Sequence, residues 1–202
     1  MPASTPPLRA AAPDDAAIEA ALREQAGRAR THRYVWTGIN GALAVGSFAL
    51  LPIVDRESRP DFVVSGVGSL LSTVATFAFP FQIDSDRAEL NTRGQLPPET
   101  RRRRLRELLR VDAADERERI ALPWHVLNFG VSALAGGIVA FGFHHTLSGI
   151  TQGVGGFALG EAQLFTQPTG LNDYGTSSAK LVLVPTMSVQ NRCVCLGLSG
   201  SW

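Results

Sequence analysis

The chain has 202 residues, 45% of them hydrophobic, and a formal net charge of +1. Near-neutral charge and the lack of a nucleic-acid-binding motif argue against nucleic acid as a partner. Two cysteines, Cys193 and Cys195, exclude a disulfide framework and a four-cysteine zinc site.

The mean hydropathy of +0.06 would suit a soluble protein, but the distribution argues otherwise. Charged residues crowd into polar blocks and leave three uncharged runs, Tyr34–Val54, Phe62–Ile83 and Ile120–Phe143, and a weaker fourth, Thr146–Thr166, whose one charged residue is Glu161. Each is about the 20 residues that a helix needs to cross a hydrocarbon core. The first three lack the charged face that a soluble amphipathic helix keeps. The expected fold is therefore an all-α membrane protein. It has four transmembrane helices in two tandem hairpins, each preceded by a charged amphipathic helix, and a short β-hairpin-like tail.

In chain order, residues 1–33 are read as an N-terminal cytoplasmic amphipathic helix. The opening MPASTPPLRA does not resemble a signal peptide, because no apolar core follows it. Pro13, Asp14 and Asp15 open the helix, with Ile18, Leu22 and Ala26 four residues apart.

Residues 34–83 form the first predicted transmembrane hairpin. Trp36, beside Tyr34, sits at the expected head-group depth of an aromatic belt. Asn40 lies a turn deeper, where an interhelical hydrogen bond is expected. Gly38, Ala42 and Gly46 recur every four residues, as do Ser65, Ser69 and Thr73. Small residues at that spacing let helices approach closely in lipid.

Residues 84–119 are expected as a cytoplasmic basic helical loop. Pro97 and Pro98 open ETRRRRLRELLRVD, with Leu105, Leu108 and Leu109 on one side. Two readings stay open: a solvated basic helix that enforces topology, or an interfacial helix. In the second, the leucines sit in the acyl boundary and Arg101, Arg102, Arg103 and Arg104 at anionic head groups.

The second hairpin covers 120–168. Trp124 and Asn128 repeat the Trp36/Asn40 spacing, and Gly136, Gly156 and Gly160 supply small packing positions. His144 and His145 adjoin each other and make weak metal candidates that need Asp55, Glu57 or Asp61 from the other outer loop, so no metal is expected. In the fourth run Gln152, Gly156, Gly160, Gln163 and Gln167 fall on one stripe, with Glu161 nearly opposite. A carboxylate inside a membrane is costly unless paired or wet. Glu161, Gln152, Gln163 and Gln167 are therefore the transport or assembly candidates. The fourth run also allows a re-entrant or interfacial helix.

Residues 169–202 form the β-rich tail, with strands expected at Leu181–Val184 and Cys193–Leu198 and a turn near Gln190-Asn191. The thiols of Cys193-Val194-Cys195 would share one strand face.

The chain repeats itself 88 positions on: Trp36 matches Trp124, Asn40 matches Asn128, Gly68 matches Gly156, Leu71 matches Leu159, Phe77 matches Phe165 and Pro80 matches Pro168. Arginine counts set the orientation. Five lie in 1–33 and ten in 84–119, against two in 55–61. The N-terminus, central loop and tail are thus expected on the cytoplasmic side of an inner membrane.

Neither a phosphate-binding glycine loop, a Gly-x-Ser-x-Gly nor a His-Glu-x-x-His motif occurs, so no cofactor is expected. No acid, base and nucleophile converge, which argues against an enzyme. The first function expected is a structural or accessory subunit of a membrane assembly, contacting anionic lipid head groups and either other subunits or copies of itself. The alternative is an oligomeric carrier of ions or small solutes, with Glu161 and the glutamine stripe lining its path.

Overall fold

The computed structural model describes residues 14–92, 96–171, 182–190 and 193–201. Up to Leu171 the described chain is all-helical. Helix α1 runs Asp15–Leu50, α2 Arg59–Ala78, α3 Gln82–Thr92 and α4 Pro98–Arg119. Helix α5 covers Leu122–Gly137, winds into a π-helical turn at Ile138–Gly142, and is followed by α6 at Thr146–Phe165. Beyond them the backbone of β1 (Val182–Gln190) pairs antiparallel with β2 (Cys193–Ser201), Val189 opposite Val194. Asn191, the expected turn residue, and residues 1–13 lie outside the described residues.

Helix α1 starts where the Asp14 carboxylate accepts the Ala17 amide at 2.6 Å, an N-cap. Its 36 residues then continue unbroken through position 33, from charged sequence into apolar sequence. At 1.5 Å per residue that is about 54 Å, well beyond a bilayer core. One buried stripe serves both halves: Ile18, Leu22, Gln25, Ala29, His32, Trp36, Asn40 and Ala44 follow at three- and four-residue steps.

These two halves define two layers. In the polar layer Ile18, Leu22 and Ala26 of α1 meet Leu105, Leu108 and Ala113 of α4, with Phe81, Ile83 and Leu171 closing the core. Leu22, Leu105 and Leu171 are all 0% exposed. This corrects the interfacial-helix expectation. The leucine stripe of α4 is used up by packing on α1, because a helix buries its apolar stripe on whatever complementary stripe is nearest. The arginines turn accordingly. Arg101 pairs with Glu19, Arg102 with Asp15 at 2.8 Å, and Arg104 with Glu89 at 2.6 Å and Glu107 at 2.7 Å, while Arg103 is exposed.

The other layer holds the apolar half of α1, α2, α5 and α6, and it is inside out. Large side chains face away from the protein, including Leu71, Phe77, Phe129 and Leu134, and Phe141 at 81% exposure. Small and polar groups face inward. Two helical runs, Arg59–Ala78 and the apolar part of Pro98–Gly142, are long and apolar enough to cross a membrane, which weakly indicates a membrane protein.

Within each pair the contacts rest on small residues, though not always the expected ones. Gly38 and Gly46 have open space where a side chain would stand, and Ala42 is exposed. Helix α1 instead meets α2 through Gly41, facing Thr73, and through Ser47, whose hydroxyl lies 3.4 Å from that of Ser65. The inward stripe is fixed by Trp36, Asn40 and Ala44, two residues off the predicted seam in each repeat of four. Between α5 and α6 the approach is closer. A Cβ at Gly136 would lie 2.5 Å from the Gly149 carbonyl oxygen, and one at Gly149 2.5 Å from that of Gly136.

Candidate functional site

Helix α5 opens at Leu122 with Pro123 in its first turn. His125 and Asn128 then stand three residues apart, on one face. Across from them on α6 stand Phe157 and, one turn on, Glu161. His125 Nδ1 lies 2.6 Å from Glu161 Oε2. Asn128 Nδ2 donates to Glu161 Oε1 at 2.9 Å and to the Phe157 carbonyl at 3.1 Å. Both carboxylate oxygens are thus engaged, and the short His–Glu distance is that of a charge-assisted bond. Gly160 makes room: a Cβ there would lie 2.0 Å from Asn128 Oδ1. The Phe165 ring, 5.6 Å from the imidazole, covers the next turn.

Gln163 belongs to a different group. Its amide donates to Thr76 Oγ1 of α2 at 3.1 Å, and its side-chain oxygen faces Asn40 Nδ2 of α1 at 3.5 Å. Its backbone carbonyl accepts from His32 Nε2 at 3.0 Å. Burial pushes the His32 pKa below its usual value, against a smaller upward pull from that carbonyl bond. The ring is thus a neutral imidazole protonated at Nε2. A turn away, Trp36 Nε1 donates to Thr166 Oγ1 at 3.0 Å. Three helices, α1, α2 and α6, therefore meet on one polar patch.

The expected candidates are distributed as follows. Asn40 and Asn128 both bond across helices. Glu161 and Gln163 enter separate clusters, Gln167 lines a cavity between the layers, and half-buried Gln152 joins neither cluster. Trp36 is buried at 7% exposure against α6, so its indole is held by protein, whereas Trp124 is 43% exposed. Gly156 faces the Ser132 hydroxyl.

At the far end of the apolar layer Asp61 Oδ1 lies 2.8 Å from His145 Nδ1. Asp55 accepts from the Ser58 amide at 2.8 Å and hydroxyl at 3.0 Å, which lowers its pKa. His144 turns the chain with φ 60° and stays exposed. Among the described residues no group of three His, Cys, Asp or Glu side chains could hold a metal ion.

Sequence reasoning missed His125, His32, Thr76 and Thr166. His125 had a signal, its i,i+3 position to Asn128; the others are set by helix pairing alone. No family model matches the chain, and no curated protein or solved structure does.

Proposed function

We propose that this is a four-span inner-membrane protein that serves as a structural or accessory subunit of a membrane assembly. The observation that carries the reading is that polar side chains of the apolar helices close on one another. Glu161 is taken by His125 and Asn128, and Gln163 by Thr76 and Asn40. Such groups act as glue between helices in lipid. A carrier would need Glu161 and Gln163 on one continuous path, and they serve different clusters.

Four crossings are supported by where the chain returns. Leu171, just past α6, packs in the same core as Ile18 of α1 and Leu105 of α4. Each apolar pair thus leaves and re-enters the polar layer on one side. Its arginine content puts that side, and with it the tail, in the cytoplasm.

A tandem duplication is supported by burial. Ile83 and Leu171, 88 positions apart, both enter the core. Ile18, Ala21, Gln25 and Ala26 are buried, and so are Leu105, Leu108, Asp112 and Ala113, each 87 positions on. The one-residue difference falls at Ile120–Ala121, where α4 stops and α5 begins while α1 continues.

The subunit contact is assigned to the uncovered face of α1 at Gly38, Ala42 and Gly46. Native mass spectrometry from mild detergent tests it. Wild type should carry partner subunits or form a fixed oligomer, and Ala42→Leu should lose them. A partnerless wild-type monomer would sink the reading.

A further inference from the structure

Where the two layers meet, a cavity of 250 Å³ opens between α1, α2, the end of α4, and α6. Arg33, Arg119, Gln163 and Gln167 supply its polar wall, and Phe79 and Trp124 its apolar one. Each guanidinium is oriented by one carboxylate, Arg33 by Asp84 at 3.0 Å and Arg119 by Asp115 at 3.0 Å. Arg119 also donates to the Pro80 carbonyl at 3.0 Å and lies over the Phe81 ring. A guanidinium carries five N–H donors, so the contacts of Arg119 fix its plane without exhausting it, while Arg33 meets Asp84 Oδ2 as an ion pair without a hydrogen bond. Arg33 Nε is buried with no hydrogen-bond partner.

Two acceptors on the same wall are orphaned as well, His32 Nδ1 and Gln167 Oε1. His32 Nδ1 is an acceptor because Nε2 holds the proton donated to Gln163. Buried polar groups without partners are costly, and each asks for an explanation such as a missing ligand. The wall thus lacks both a hydrogen-bond acceptor, for Arg33, and donors, for His32 and Gln167.

We propose that this cavity binds the head group of an anionic phospholipid bearing free hydroxyls, drawn from the cytoplasmic leaflet. The inference rests on the membrane reading above. The phosphate oxygens accept from Arg33 and Arg119, and the head-group hydroxyls donate to His32 and Gln167. The acyl chains leave past exposed Phe79 and Trp124 into the surrounding lipid. Basic pockets between helices on the cytoplasmic side suit such lipids. A choline head group offers the phosphate without donors, and a diacylglycerol offers a hydroxyl without phosphate. This moves the lipid contact from the largely exposed Arg101–Arg104 run to the cavity, where the unpartnered buried atoms of Arg33, His32 and Gln167 lie.

The test uses the full chain in nanodiscs of phosphatidylcholine with a minority of phosphatidylglycerol, released into mild detergent for native mass spectrometry. Phosphatidylglycerol should be retained in preference to phosphatidylcholine and to added diacylglycerol. Ala75→Phe fills the cavity and leaves both ion pairs intact; Arg119→Gln removes a phosphate donor. Arg119→Gln should lower retention about fivefold, the worth of one basic residue at a membrane surface, and Ala75→Phe, by excluding the head group, should abolish the preference for phosphatidylglycerol. Arg102→Gln, away from the cavity, should retain as wild type does. Equal retention of both phospholipids, or undiminished retention by Ala75→Phe, overturns the assignment. So does inorganic phosphate that displaces the lipid at similar concentration, which would make the site one for free phosphate. Alkaline carbonate extraction of the expressing membranes is read separately. A chain released by it removes the membrane reading and the site together; a chain that stays integral but retains lipid unselectively removes the site alone.

Discussion

Asn128 sets its amide between two acceptors, the Phe157 carbonyl and the Glu161 carboxylate, and Gly160 leaves the space in which it lies. Asn128→Ala should therefore destabilise the fold by about 1 kcal/mol, the usual worth of an interhelical polar contact in lipid. Gly160→Ala should cost at least as much in the wild-type background and almost nothing beside Asn128→Ala, since the clash is with the amide. Unfolding in mixed micelles measures the four-member cycle, and additive costs would contradict the geometry. His32 makes a pH prediction. Its folded pKa lies below the unfolded value, so the unfolded chain binds the proton more readily. Its contribution is complete above about pH 6.5 and declines as pH falls through that value. Comparing wild type with His32→Gln between neutral and mildly acid pH isolates this slope. A steeper acid loss in the variant would reverse the assignment. His125, which the sequence reading missed, carried a signal in its i,i+3 spacing to Asn128. The partner of His32 carried none, because a backbone carbonyl of a distant helix leaves no mark in side-chain identity.

Among the elements, the α5–α6 hairpin is the tightest junction. Gly149→Ala places a methyl against the Gly136 carbonyl and Ala140, and backbone cannot rotate away as a side chain can. A loss of about 1–3 kcal/mol is expected, as for overpacking elsewhere. Gly155→Ala, with open space around it, is the control and should be neutral or slightly stabilising. Helix α4 separates two accounts of its leucines. Packed on α1, Leu105→Ala should cost about 2–5 kcal/mol in unfolding. An interfacial helix would instead lose membrane affinity and little fold stability.

For the whole molecule, if the apolar layer lies in a membrane as proposed, the return of Leu171 to the core of α1 and α4 implies an even number of crossings. Cysteines introduced at Ala17 and Ala114 should label from one side of sealed vesicles, and those at Asp55 and Thr146 from the other. Labelling of all four from one face would exclude two hairpins that cross. The layered design also explains why α1 is so long. It carries the buried stripe from a charged layer, where it packs on α4, into an apolar layer, where it packs on α2.

Sequence alone determined the helical character of the chain up to Leu171 and the presence of helices long and apolar enough to cross a membrane, because apolar runs and capped charged segments are local properties that composition carries. It located the apolar helices and α4, though neither α3 nor the continuity of α1 through position 33, and it singled out Asn40, Asn128, Glu161 and Gln163 as polar groups in apolar surroundings. Only the tertiary structure decided which faces are used. In α1 the seam Gly38–Ala42–Gly46 and the stripe Trp36–Asn40–Ala44 are equally periodic, and a helix offers both. Choosing between them depends on the partner helix, as does the leucine stripe of α4, which could meet lipid or α1. Periodicity fixes what a helix can bury; the neighbour it finds fixes what it does bury.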